Sequence, residues 1–143
     1  MDAATRSRIE HSFAAQAMME TVGATLAHVA PGEVHITSPI RAGMLQQHGV
    51  GHAALTFAIG DSAAGYAALT VLPPEFEVVT AEIKITLLAP ARGDSLIARG
   101  KVIKPGRRLT VVSAEVSAIM NGTETLIAVL QGTMAPVPGT PPA

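Results

Sequence analysis

The stretch from Gln46 to Leu69 reads QQHGVGHAALTFAIGDSAAGYAAL, a glycine-bearing turn that runs into an apolar segment whose single formal charge is Asp61. From His52 onward Ala, Leu, Phe, Ile, Gly and Thr dominate, so a helical projection is apolar on nearly all sides. That pattern predicts a long buried helix, and Pro73-Pro74 forces it to a stop. The run from His52 to Leu72 has the length of a membrane span. Its Ala and Gly are only weakly apolar, however, and a central Asp costs about 2.5–3.5 kcal/mol on insertion scales, so no membrane segment is expected. A lone carboxylate in a core helix is either a paired structural group or a functional one.

Before this helix, Ser7 and Glu10 have capping-box spacing, and Ile9, Phe13 and Ala17 recur at four-residue steps. They predict an amphipathic helix over about 6–20, ending before Gly23. Gly23 to Ala30 and Glu33 to Ser38, separated by Pro31-Gly32, read as a β-hairpin. After the buried helix, Thr80 to Leu87 alternates, placing Ala81, Ile83, Ile85 and Leu87 on one face and the polar residues on the other. Ser95 to Lys104, Leu109 to Ile119 and Thr125 to Met134 are expected strands, the last two joined by the hairpin signal Asn121-Gly122. The order helix, hairpin, buried helix and four antiparallel strands predicts an α+β domain with the long helix against one face of a curved sheet. Residues 1–134 form this single domain, and the proline-rich 135–143 is expected to be a disordered tail.

A chain of 143 residues suits one core. Charged residues make up 15% against a usual value of about 25%, while 48% are apolar, which leaves too few polar groups to cover a lone monomer. A homo-oligomer is therefore expected. A net charge of −1 and four aromatic residues argue against a nucleic-acid partner. The absence of cysteine excludes disulfides and thiolate chemistry. The opening MDAATRSRIEHS carries no apolar signal segment, so a cytoplasmic location is expected.

Gln46, Gly49, His52, Ala53, Ala54 and Asp61 follow a pattern of Asn or Gln, two residues, Gly, two residues, His-Gly-Gly, and an acidic residue nine positions after the His. With the later segment VVTAEIKITLLAPARGDSLIARGKVIKPGRRLTVVSAEV, this resembles the hotdog-fold acyl-CoA thioesterases, specifically the phenylacetate-degradation (PaaI-like) group. The resemblance spans Gly23 to Met134. It implies a long central helix wrapped by a curved antiparallel sheet, an acyl-CoA substrate, no metal or redox cofactor, and a site shared at a dimer interface, in a dimer or a dimer of dimers. It also implies that Thr80 positions the attacking water and that Gln46 lies near the thioester. Ala53 departs from the family Gly: its N–H survives as a donor to the thioester carbonyl, while its methyl crowds the acyl group or the CoA arm.

The residues themselves support a shared site. If His52 starts the helix, Asp61 lies nine residues on, about 13.5 Å along the axis and half a turn out of phase. One chain cannot aim both at one carbonyl, whereas a two-fold axis brings one helix start to the other chain's Asp61. The helix start offers free N–H groups and a partial positive charge to a developing oxyanion, with Ala53 N–H the candidate donor. Asp61 would act as general base or as nucleophile. His52 is expected to order the loop rather than exchange protons.

Plainer roles exist: Gln46 satisfying loop amides, Thr80 as an ordinary strand residue, Asp61 as an interface group. His48 and His52 have an H-x-x-x-H spacing, but Gly49 and Gly51 disfavour a helical turn between them and no third ligand is near, so no metal site is expected. Gly60-Asp61-Ser62-Ala63-Ala64 misses the nucleophile elbow at its last position. Lys104, Arg107 and Arg108 are candidate contacts for CoA phosphates or simply a solvated turn. The alternatives to hydrolysis are a hotdog acyl-thioester hydratase or dehydratase and a non-catalytic acyl-CoA-binding protein; the acyl group is left open.

Overall fold

The apolar run folds into one helix, α3 (Ala53–Leu69), whose Leu55, Ile59, Ala63, Ala64, Ala67, Ala68 and Leu69 are buried in the protein's core. The computed structural model describes residues 1–139. Ahead of α3 come α1 (Ala3–Ala15), α2 (Ala17–Val22), β1 (Thr25–Ala30), β2 (Glu33–Pro39) and a short 3-10 turn (Ala42–Met44). After it come β3 (Phe76–Leu87), β4 (Ser95–Lys104), β5 (Thr110–Met120) and β6 (Thr123–Pro138). The six strands form one antiparallel sheet in the order β1-β2-β4-β5-β6-β3, with α3 packed across its inner face. This is the α+β hotdog architecture that the sequence implied.

Small residues let helix and sheet approach closely. A Cβ built on Gly100 of β4 would strike the Ala63 carbonyl and the Ala64 nitrogen, and one on Gly60 would lie 3.0 Å from the Leu130 methyls. Both turns foreseen in the sequence form: Gly32 sits at φ 73°, and Asn121 and Gly122 at φ 50° and 79°, the left-handed pair that a two-residue hairpin turn requires.

Several boundaries differ from expectation, among them β3, which begins at Phe76 rather than Thr80. The first helix begins earlier, because Asp2 caps it by accepting from Thr5 N–H at 2.7 Å; Ser7 lies inside it and bonds His11. It also breaks at Gln16, so α1 and α2 are separate helices. α3 stops at Leu69, before Pro73-Pro74, where the Thr70 hydroxyl donates to Ala67 O and accepts from Gly32 N–H, both at 2.7 Å. The expected tail instead continues β6 as far as Pro138, pairing Val78 with Pro136 and Phe76 with Pro138. The last β6 residue paired with β5 is Met134, opposite Thr110. Beyond it, prolines two apart place both missing N–H groups on the side β5 has vacated, where none is needed. Residues 140–143 lie outside the described chain.

Gly100→Ala should destabilise the fold by about 1–3 kcal/mol, since backbone stands where the methyl must go. Gly43→Ala, which meets nothing within 4 Å, should be near neutral. Chemical denaturation of the two variants beside wild type checks this.

Candidate active site

Asp61 lies midway along α3, where β3 runs past it. The Thr80 hydroxyl donates to Asp61 Oδ1 at 2.7 Å and touches Met134 Sδ at 3.4 Å. Strict alternation assigned Thr80 to the face opposite Ile83. A bulge between Thr80 and Glu82 leaves Ala81 without a partner on β6, and the change of register brings Thr80 and Ile83 to the same inner side.

Around Asp61 is a cavity of about 160 Å³, also lined by Ser12, Gln16, Ser62, Tyr66 and Thr80. Ser12 and Gln16 come from the N-terminal helices: Ser12 Oγ lies 3.2 Å from the Tyr66 hydroxyl, and Gln16 Nε2 donates to Ser62 Oγ at 3.3 Å. Phe13 meets the Tyr66 ring edge to face at 6.0 Å. Arg8 anchors α1 by donating to Leu72, Pro73 and Phe76 carbonyls in the α3–β3 connection. Sequence reasoning missed Ser12, Gln16 and Tyr66 because each is unremarkable in its own segment; the lone Asp61 was the signal that a polar neighbourhood had to exist. Burial pushes the Tyr66 phenol above its usual pKa; the Ser12 hydrogen bond opposes this and the Glu77 carboxylate adds to it.

At its start α3 is capped by His52, whose Nδ1 accepts from Ala54 N–H at 2.9 Å while its carbonyl accepts from Leu55 N–H at 3.0 Å. Ala53 N–H is left without an acceptor among the described residues, at the positive end of the helix. His52 thus joins the loop to the first turn of the helix. The Gln46 side chain accepts from His48 N–H, the plainer of its two roles, yet it borders the same opening as Ala53. That opening, about 570 Å³, is also lined by Leu87, Leu88 and Arg92.

The two polar regions share no lining residue. Ala53 and Asp61 are eight residues apart, about 12 Å along the helix. Lys104, Arg107 and Arg108 join neither region; Arg107 borders a third groove with Leu72, Phe76 and Pro136, beyond the C-terminal end of α3. Arg92 lines the same opening as Ala53. His48 and His52 form no metal-competent cluster among the described residues; His28, Glu33 and His35 do, on the β1–β2 hairpin.

Residues 48–124 match the thioesterase superfamily. Among solved structures, a thioesterase family protein from Silicibacter pomeroyi is 38% identical, with 94% of this chain and 99% of that chain covered and a TM-score of 0.92. The PaaI protein of the E. coli phenylacetic acid degradation operon shares the fold at 23% identity, covering 96% and 97% with a TM-score of 0.84. A thioesterase from Haemophilus influenzae does so at 20% identity, covering 89% and 87% with a TM-score of 0.79. No protein of curated function matches the chain.

The raised Tyr66 pKa sets an alkaline limit on stability. The folded phenol holds its proton beyond the unfolded value of about 10, so its contribution is complete below that pH and is lost as pH rises through the folded value. Tyr66→Phe, which cannot ionise, should show a shallower fall in melting temperature above about pH 10 than wild type.

Proposed function

The chain belongs to the thioesterase superfamily and is a thioester hydrolase, and from that premise we propose that it cleaves acyl-CoA to free acid and CoA at a site shared between two copies of the chain. The observation that carries this reading is the separation within one chain of an unpartnered Ala53 N–H from the Asp61–Thr80 pair. A two-fold axis unites one copy's donor with the other's carboxylate. β3 is an edge strand of the sheet and carries the exposed Val79, and Leu87 and Leu88 are more than half exposed beside the Ala53 opening. An open edge with apolar side chains favours pairing with a second copy, as a dimer or within a dimer of dimers.

In the shared site, Ala53 N–H donates to the thioester oxygen and stabilises the charge that develops on it. Thr80 fixes one Asp61 oxygen, leaving Oδ2 for the reaction. As general base, Asp61 takes a proton from water, hydroxide adds to the carbonyl, the C–S bond breaks and the CoA thiolate leaves to be protonated. As nucleophile, Oδ2 adds to the carbonyl, the C–S bond breaks with departure of the CoA thiolate, and water then hydrolyses the resulting anhydride to the acid and the free Asp61 carboxylate. Gln46, whose amide N–H groups have no acceptor among the described residues, orients the acyl carbonyl, and His52 holds the loop through its cap. Arg92 borders the Ala53 opening and offers a cation to the CoA phosphates there, while Lys104 at the end of β4 and Arg107 and Arg108 on the turn after it, outside both polar regions, would meet phosphates of a CoA arm that extends beyond the opening. A cytoplasmic location fits this substrate, and no helix among the described residues is long and apolar enough to cross a membrane.

Thiol release from a panel of short, medium, long and aromatic acyl-CoAs tests the proposal. Asp61→Asn should remain folded and oligomeric while turnover falls by about 10²–10⁴. Thr80→Val should lose about tenfold or more in kcat and Thr80→Ser should restore it, as expected for one hydroxyl hydrogen bond to a charged carboxylate. Near-normal turnover by Asp61→Asn would remove Asp61 from the chemistry. A folded wild type that releases thiol from no acyl-CoA would refute the substrate class. In single-turnover hydrolysis in ¹⁸O water, label found on Asp61 would establish the nucleophilic route, since it enters there only when water opens the anhydride at the Asp61 carboxyl carbon.

A further inference from the structure

We infer that the outer face of the β1–β2 hairpin binds one divalent cation of the zinc class through His28, Glu33 and His35. Val34 and Ile36 of β2 and Val29 of β1 point inward and are buried, so Glu33 and His35 project together from the opposite face of the hairpin. A register shift between Leu26 and His28 sets His28 directly across from His35. The potential ligand atoms of the three residues all lie within 4.8 Å of one another, with His35 Nε2 2.7 Å from Glu33 Oε1 and the two imidazole rings 4.6 Å apart.

Zinc bound by imidazole nitrogen and carboxylate oxygen at about 2.0–2.2 Å in a tetrahedron separates neighbouring ligand atoms by roughly 3.4 Å. Side-chain rotation alone bridges the difference, because His28 is exposed and the other two are only half-buried. Two imidazoles and one carboxylate suit zinc, nickel or copper better than magnesium or calcium, which favour all-oxygen sets. Three protein ligands leave one tetrahedral position for water. Of the neighbouring charges on β4, Arg99 is held by both carboxylate oxygens of Glu124 at 2.8 and 3.0 Å. Lys101 Nζ lies 4.0 Å from Glu33 and is the cation that opposes the metal. None of the three ligands lines either half of the candidate active site, so this inference does not rest on the hydrolytic reading.

Untagged protein titrated with Zn²⁺ by calorimetry should bind one equivalent per chain. Its melting temperature should rise until that equivalent is filled, since a ligand that binds the folded form stabilises it. Co²⁺ in place of zinc should give the visible bands of a low-coordinate nitrogen and oxygen site. His28→Ala and His35→Ala should each weaken binding by at least about tenfold; Lys101→Met should tighten it and His11→Ala should leave it unchanged. Absence of stoichiometric binding, or binding that survives both His28→Ala and His35→Ala at wild-type affinity, would overturn the assignment.

Discussion

Contact between Gly100 and the backbone of Ala63 and Ala64 sets the distance at which α3 crosses its sheet, and the placement of both polar regions follows from it. Alanines at 63, 64, 67 and 68 are fully buried, so the helix lies on the strands with little side-chain thickness between them. At that distance β3 passes within a hydrogen bond of the helix, and the Thr80 hydroxyl reaches Asp61 directly. A larger residue at any of these contacts would move the carboxylate and its partner apart.

The start of the helix divides its backbone donors among several tasks. His52 takes up the Ala54 N–H through its ring and the Leu55 N–H through its carbonyl, which secures the first turn and leaves Ala53 N–H without an acceptor among the described residues. The imidazole does this as an acceptor through Nδ1, so its structural task requires that nitrogen to be unprotonated. Replacement of the family glycine by Ala53 leaves this backbone donor in place and adds only bulk beside it.

Much of the architecture was legible because it rests on local chemistry. Pro31-Gly32 and Asn121-Gly122 specify their turns by backbone conformation, and the alternation of Thr80 to Leu87 marks β3, with Ile83 and Ile85 turned inward. What escaped the sequence depends on long-range pairing. Thr80 turns inward only because Ala81 bulges against β6, and alternation within one strand carries no trace of that partner. Gln16 is an ordinary helix former, yet the helix breaks there and its amide meets Ser62, far along the chain. The prolines at 136 and 138 signal a non-helical end, but whether such a segment is strand or coil depends on which neighbouring strand has already stopped.

The sheet order carries a consequence for how the molecule acquires its shape. β3 has one neighbour, β6, and between them in sequence lie the whole of β4 and β5. Contacts across so long an interval form slowly, because loop closure precedes any gain from pairing. During synthesis the hairpin and α3 emerge first, and β3 waits with an unpaired backbone on both sides until β6 follows. The strand that presents Thr80 to Asp61 is therefore among the last to lock. Throughout that interval it is the segment most exposed to wrong partners, which makes the completion of β6 the event that turns a vulnerable intermediate into a finished subunit.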